Sequence, residues 1–348
     1  MHVVYSDKHR LHIPGQVFER GSLRTSRDVP ERVERLLVEA IKAGLEPILS
    51  EATSWTELAA VHSGRYIRFL ESAYGEWSAL GLDASLVQPS FFPVGTSVET
   101  YPGSVLGRAG IHMTDFLSPI GVHTFEAAVA SANVAIRAAL IVSENGSFSY
   151  ALCRPPGHHA GIDAGGGATY FNNAALAAHT LLKKRSRVAI IDIDVHHGNG
   201  TQEIFYERAD VLFVSIHRDP ADYYPYATGY ASETGRGVGA GFNLNLPLDR
   251  GSDEQAYFTA LVRAEEVIRA FNADALVVSL GFDAHEADPA NGLRISTSGF
   301  GAIGARLGAL HVPTVLVQEG GYNLDTLSDV FGSFMINFAS KHDGPIHD

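Results

Sequence analysis

Thiol is almost absent from this chain: a single cysteine, Cys153, stands among 348 residues. It cannot form an internal disulfide, so no oxidising compartment is implied, and a zinc site built from thiolates is excluded. Any metal must be held by imidazole and carboxylate. Basic residues are the minority, 26 Lys and Arg against 39 Asp and Glu, a formal charge of −13. That balance argues against nucleic acid or an anionic membrane as the main partner and leaves room for a cationic ligand. Long uninterrupted apolar runs are also lacking. The first eight residues hold no apolar signal core, and the most apolar helical stretch, 125–142, is broken by Glu126 and Arg137, so a cytoplasmic protein without a membrane span is expected. No repeat, low-complexity tract or linker divides the sequence, and one domain is expected over 1–348. With 45% hydrophobic and 19% charged residues the chain can bury a sizeable core.

Early on, Asp28-Val29-Pro30-Glu31 has the spacing of a capping box, which predicts an amphipathic helix carrying Leu36, Leu37, Ala40 and Ile41 and closed at Gly44. A second helix is expected from Thr124 towards Gly146. Beyond it, β-rich runs at 150–153, 188–193, 211–216, 242–246, 275–280 and 314–318 alternate with helical periodicity. Several are continuously apolar, the pattern of strands covered by helices on both faces, so the expected fold is α/β with a mostly parallel sheet. Ligands in such sheets bind outside the carboxyl ends of the strands. The residues directly after each run therefore carry the functional interest.

Arg154-Pro155-Pro156-Gly157-His158-His159-Ala160-Gly161 follows the first run, and the second leads into Asp192-Ile193-Asp194-Val195-His196-His197-Gly198-Asn199-Gly200. Gly281-Phe282-Asp283-Ala284-His285 follows the fifth, and Glu319-Gly320-Gly321-Tyr322 the last. Singly, each has an ordinary reading, since paired histidines are often structural and strand-end carboxylates often cap helices. Together they bring His, Asp and Tyr to one edge of the sheet. Carboxylate and imidazole without thiolate suit a divalent metal such as zinc, with three protein ligands leaving a position open for water and substrate. Asp194, His196 and Asp283 form the best set.

These four segments resemble the zinc-dependent deacetylases of the arginase-deacetylase superfamily, and most closely the bacterial acetylpolyamine amidohydrolases. The resemblance extends to Val61-His62-Ser63 with Tyr66-Ile67, and to His217-Arg218-Asp219-Pro220 with Gly229-Tyr230. It implies that Asp194, His196 and Asp283 bind one zinc per chain, with iron or cobalt as substitutes. His158 and His159 become the acid/base pair, His159 the base, and Tyr322 the group that polarises the scissile carbonyl. Asp192 then orients His158 and Asn199 holds His159, where a neutral amide leaves the imidazole less basic than a carboxylate would. The resemblance also implies structural potassium. Asp192, Ser215 and the main chain of Asp194, His196 and Ile216 match an inner site, while Phe205, Arg208, Val211 and Phe242 lie near an outer one. A loop at about 88–123 matches an insertion that helps build a homodimer or dimer of dimers. It would supply Glu99 or Asp115 to the distal ammonium of a small cationic N-acylated amine.

One departure stands out. Relatives place an aromatic directly after the glycine that is Gly167 here, and this chain has Ala168. One aromatic wall of the substrate channel is therefore expected to be missing, with the opposing wall from Tyr223 or Tyr224 and Gly320 nearby. The channel is then wide unless Tyr170 fills the gap. A two-manganese ureohydrolase would need aspartates where Gly198 and Gly281 stand, and a non-catalytic binder would be expected to have lost His158, His159 or Tyr322. Among deacylases, an acetylated polyamine or diamine is the expected substrate. A lysine or histone-type deacylase and a hydrolase of a bulkier small amide are the alternatives.

Overall fold

The computed structural model describes residues 1–50, 54–81, 85–93 and 100–342. Its strands are β1 (His2–Tyr5), β2 (Gln16–Glu19), β3 (Ser22–Thr25), β4 (Glu46–Leu49), β5 (Phe148–Ala151), β6 (Val188–Asp192), β7 (Val211–Arg218), β8 (Asn243–Leu248), β9 (Ala275–Leu280) and β10 (Thr314–Gln318). Eight of them form one sheet in the order β4-β1-β5-β10-β9-β6-β7-β8, and every pairing in it is parallel. The helices are α1 (Glu31–Lys42), α2 (Trp55–Ala59), α3 (Gly64–Ala79), α4 (Val105–His112), α5 (Thr124–Asn145), α6 (Asn173–Leu182), α7 (Asn199–Phe205), α8 (Glu254–Phe271), α9 (Thr297–Gly308) and α10 (Leu324–His342).

Side chains on a strand alternate between faces, and both faces of this sheet are apolar because both are covered. Ile190, Val277, Val315 and Val317 join a core with α3, α5 and α6. Their neighbours Ala189, Ile191, Leu276, Val278 and Leu316 join a second core with α1, α8, α9 and α10. Helix α5 is long and apolar enough to cross a membrane, yet it packs on the sheet and α6 with most of its length buried. It ends at Gly146, whose φ of +71° provides the left-handed cap that a side chain would resist.

The six runs read from the sequence match strands to within a few residues, while β1, β4 and the antiparallel hairpin β2-β3 are additional to them. Proline marks both margins of the sheet. Pro47 lies in β4 and Pro247 in β8, the two edge strands, where a missing N–H breaks no interior ladder. Within 88–123, α4 packs on α3, Val87 bridges to Ile120, and Phe116 meets Phe18 and Phe92 edge-on. That segment therefore closes against the β2-β3 hairpin. Glu99 lies outside the described residues.

The first helix differs from expectation at its start. Asp28 does not cap α1, which begins after Pro30 without a side-chain cap. Its carboxylate is instead buried between two buried guanidiniums: Oδ1 accepts from Arg32 Nη1 (2.7 Å) and Arg154 Nε (3.0 Å). Arg154 also donates to the carbonyls of His9, His12 and Asp28, and Arg32 to those of Glu319 (2.6 Å) and Gly321 (2.7 Å). Burial alone would raise the Asp28 pKa, but Arg154 and Arg32 outweigh it and bring it down to about 2. Asp28→Ala leaves two buried cations short of their counter-charge and should cost about 3–5 kcal/mol in urea unfolding at neutral pH. Because the folded pKa is depressed, this contribution is present above the ordinary carboxylate value of 3.8 and is lost as pH falls through about 2. The gap between wild type and variant should therefore close in acid.

Candidate active site

The parallel arrangement sends the loops after β5, β6, β9 and β10 to one edge, where a shared cavity opens. Asp192 is the last residue of β6, and its backbone register pairs it with Ser215 on β7 and Ser279 on β9. Two residues further, Asp194 reaches the edge, and His196 follows. His196 Nδ1 lies 3.0 Å from Asp194 Oδ1 and 3.1 Å from Asp283 Oδ2. One ligating atom from each of these three residues lies within 4.8 Å of the others.

The carboxylates are held by main-chain N–H groups. Asp194 accepts from His196 N (2.9 Å) and Gly320 N (2.8 Å), and Asp283 Oδ1 accepts from Val195 N (3.0 Å). Asp283 Oδ2 is buried and faces His196 Nδ1 instead of a main-chain N–H. Burial and the charge of Asp194 push the Asp283 carboxyl up to about 7. Burial opposes protonation of His196, yet the same two carboxylates raise its pKa to about 9. Two buried carboxylates and an imidazole form a donor set that a divalent metal fits. Glycine keeps the space small. A Cβ on Gly281 would stand 2.2 Å from Asp194 Oδ2, one on Gly320 2.3 Å from Asp283 Oδ2, and one on Gly198 2.3 Å from Asp192 Oδ2. Aspartates for a second metal could not occupy positions 198 or 281 without moving these groups.

His158 and His159 flank the cluster with ring centroids 4.0 Å apart, and their outer nitrogens have different partners. His158 Nδ1 donates to Asp192 Oδ2 (2.9 Å), and His159 Nδ1 donates to Asn199 Oδ1 (2.7 Å). Burial disfavours charge on both. At His158 the carboxylates of Asp192 and Asp194 overcome burial and hold the pKa well above the ordinary value. At His159 nothing comparable does, and the nearby His158 and His196 push the pKa further down. The two imidazoles are therefore pushed in opposite directions, His158 towards the charged form and His159 towards the neutral one.

Tyr322 lines the cavity with His159 and His196. Asp288 accepts its N–H (2.7 Å) and that of Asn323 (3.0 Å), and the Arg32 guanidinium lies 4.9 Å from the centre of its ring. The cavity, about 480 Å³, continues past Gly167, Ala168, Asp115 and Tyr224 to the β2-β3 hairpin and Phe116.

The family model for the histone deacetylase domain matches residues 26–336. The chain belongs to the histone deacetylase family. It is a hydrolytic deacetylase acting on amide bonds. It is 44% identical to an acetylpolyamine amidohydrolase of Burkholderia pseudomallei, covering 95% of this chain and 96% of that one. It is 41% identical to acetylpolyamine amidohydrolase 2 of Pseudomonas aeruginosa, covering 94% and 95%. The crystal structure of the acetylpolyamine aminohydrolase from Burkholderia pseudomallei superposes with a TM-score of 0.95 at 43% identity, over 98% of this chain and 99% of that one. The arginase-deacetylase fold expected from the sequence is thereby established.

The remaining residues of the deacetylase singled out by sequence fall in distinct surroundings. Tyr224 faces the cavity, edge-on to His159 at 4.9 Å, whereas Tyr223 is buried, stacked on His196 at 5.1 Å with its hydroxyl donating to Ala290 O (2.7 Å). Gly320 packs against Asp194 and Asp283 rather than along the cavity. Tyr170 does not fill the space beside Ala168: it is buried and donates to Pro119 O (2.7 Å). Ser215 Oγ lies 2.8 Å from His217 Nδ1, while the carbonyls of Phe205 and Phe242 accept from Arg208 N (3.0 Å) and Phe213 N (2.9 Å). The Arg208 side chain pairs with Asp210, and Val211 and Ile216 lie within β7.

One buried acid had not been singled out as functional, and another differs from its expected role. Glu319 is buried, accepts from Gly157 N (2.7 Å) and His158 N (3.2 Å), and has its carboxyl pushed up to about 8 by burial. An acid directly after an apolar strand was its sequence signal. Asp115, expected as a ligand for an ammonium, has its oxygens occupied: Oδ2 accepts from Tyr224 Oη (2.6 Å) and Gly167 N (2.8 Å), and Oδ1 from Leu117 N (2.8 Å). It ties both cavity walls together. Tyr224→Phe removes one of these bonds to a buried carboxyl and should lower stability by about 1–3 kcal/mol in a denaturant titration. An unchanged midpoint would mean that the tie contributes nothing.

Proposed function

We propose that this deacetylase is a metal-dependent amidohydrolase that removes the acetyl group from a small aliphatic amine such as an acetylated polyamine or diamine. The observation that carries the reading is the division of labour between His158 and His159 beside the Asp194, His196 and Asp283 cluster. The names of the relatives support the substrate class, and the acidic balance of the chain suits a cationic amine. A divalent metal held by Asp194, His196 and Asp283 would act as a Lewis acid on the amide oxygen and lower the pKa of water.

The residues of the chain supply the rest. His159, kept neutral by burial and its amide partner, takes the proton of the attacking water at Nε2 while Asn199 fixes the ring through Nδ1. His158, kept cationic by Asp192, stabilises the negative charge that develops on the substrate oxygen. The Tyr322 hydroxyl donates to that oxygen from the opposite side of the cavity. The leaving amine must depart protonated, and His159 returns the proton it has taken. Zinc is the ion proposed, with iron or cobalt able to substitute. Potassium near Asp192 and Ser215, a homodimer and a cytoplasmic location belong to the same proposal.

Elemental analysis should find about one transition metal per active chain, and Asp283→Asn should lose it. Tyr322→Phe should keep the metal while turnover of N-acetylated diamines falls on the order of 100-fold or more. Near-normal turnover in that variant would sink the assignment of Tyr322.

Ala168 tests the width of the channel. It lines the cavity at a φ of +67° and brings no ring to it. A ring covering ~40 Å² of a methylene arm is worth about 1 kcal/mol at roughly 25 cal/mol per Å². Ala168→Phe should thus raise kcat/KM several-fold on slim acetylated diamines and lower it on bulkier amides, provided melting shows that the left-handed position tolerates the larger residue. An unchanged ratio in a folded variant would show that residue 168 does not contact substrate.

A further inference from the structure

Beside the active-site cavity lies a second, smaller pocket of about 150 Å³, and its lining is cationic in a chain that is strongly acidic overall. Three guanidiniums, those of Arg20, Arg218 and Arg250, border it against one carboxylate, Asp222. Arg20 and Tyr226 also line the active-site cavity, so the two spaces adjoin. Arg218 is the anchor. It is the last residue of β7, at the sheet edge where ligands bind, and it is 4% exposed.

Arg218 donates through Nη2 to Asp222 and through Nη1 to Leu248 O at a long 3.5 Å, while its buried Nε has no acceptor. An arginine cannot relieve this by losing its proton, and a buried donor left unpaired costs free energy. Among the described residues, Arg20 has a 3.7 Å ion pair with Glu19 at the surface, worth little in water. Arg250 is exposed at the rim. The pocket has room for roughly five waters at about 30 Å³ each, the scale of one small polar group. Planar guanidinium forks match the oxygens of a carboxylate or phosphate.

We propose that this pocket binds a small oxyanion, a carboxylate or phosphate group, next to the mouth of the active site. The anion completes the hydrogen bonding of Arg218 and offsets the excess positive charge of Arg20 and Arg250. Two sources share that chemistry: a free inorganic ion, or a carboxylate carried by the amine substrate itself. Tyr223 separates the pocket from the candidate metal ligands, with one face on His196 and the Arg218 guanidinium 5.8 Å from its ring centre. An occupant would therefore sit one side chain away from the reacting centre.

The first test is calorimetric titration of the metal-loaded enzyme with inorganic phosphate at constant ionic strength, which needs no turnover. Wild type should bind about one phosphate per chain saturably, and Arg250→Gln should weaken this about tenfold, as expected for losing a charge-assisted hydrogen bond. Arg218→Gln should abolish binding. Arg250 is exposed, so its variant stays informative even if the Arg218 variant fails to fold. The second test, which alone rests on the deacetylase reading, compares kcat/KM for N-acetylated amines of equal length ending in a carboxylate or a neutral amide. If the carboxylate is substrate-borne, Arg250→Gln should cut that ratio about tenfold. If the anion is free, the ratio should not move while phosphate binding still weakens. Absence of Arg250-dependent phosphate binding together with an unchanged ratio would overturn the proposal. A failure of deacetylase activity would leave the phosphate titration to decide it.

Discussion

The constraint on which this structure depends is the crowding of negative charge at one buried edge of a parallel sheet. Asp192, Asp194, Asp283 and Glu319 are all buried there, each placed by the end of a strand or the turn after it. Water does not screen them, so each must find a donor, a cation or a proton. Main-chain N–H groups serve part of the need at Asp194, Asp283 and Glu319. Burial, together with the neighbouring carboxylates, pushes the Asp283 and Glu319 carboxyls up to about 7 and about 8. A site with that crowding is organised around positive charge.

The same crowding separates two chemically identical side chains. His158 and His159 are adjacent in sequence and equally buried, so burial cannot distinguish them. Their partners do. The carboxylate of Asp192 on one Nδ1 and the neutral Asn199 on the other push the two imidazoles in opposite directions, because only the carboxylate offsets the cost of burying charge. Charge on His158 then reinforces neutrality at His159, since the rings are 4.0 Å apart. Both partners are fixed to rigid elements, the end of β6 and the start of α7, so the two rings are held in place through their Nδ1 atoms.

Much of this was legible in the sequence, for definite reasons. Interior parallel strands are buried on both faces, so β6 and β10 read as apolar runs ending directly in polar side chains, and β9 as an apolar run broken at Ser279 with Asp283 three residues after its end. Edge strands do not read that way. In β4 the residues Glu46 and Leu49 are exposed and Pro47 interrupts the pattern, and β1 is four residues long with only Val3 and Val4 buried. The β2-β3 hairpin exposes nearly every side chain, so it has no core periodicity to reveal its place over the cavity. Asp28 was misread for another reason. Its spacing to Glu31 is that of a capping box, but Arg32 and Arg154, the latter distant in sequence, compete for the same carboxylate and win because a buried ion pair outweighs one helix-end hydrogen bond.

Long-range ties of this kind were invisible to local pattern, and they are what shape the cavity. Arg32 links Asp28 to the carbonyls on either side of Gly320, so the N-terminal network reaches the turn that carries Tyr322. On the other wall, Asp115 joins Gly167 to the hydroxyl of Tyr224 across more than a hundred residues of sequence. With Ala168 in place of a ring, the wall beside Gly167 has little side-chain bulk of its own, and its position rests on that buried carboxyl. Tyr224 and Asp115 are thus two halves of one device: the phenol that faces the cavity also satisfies the acid that holds the opposite backbone. The width of the channel is consequently a property of the tie as well as of residue 168. A substitution at either end of the tie should move the wall even where it leaves Asp194, His196, Asp283 and both histidines untouched.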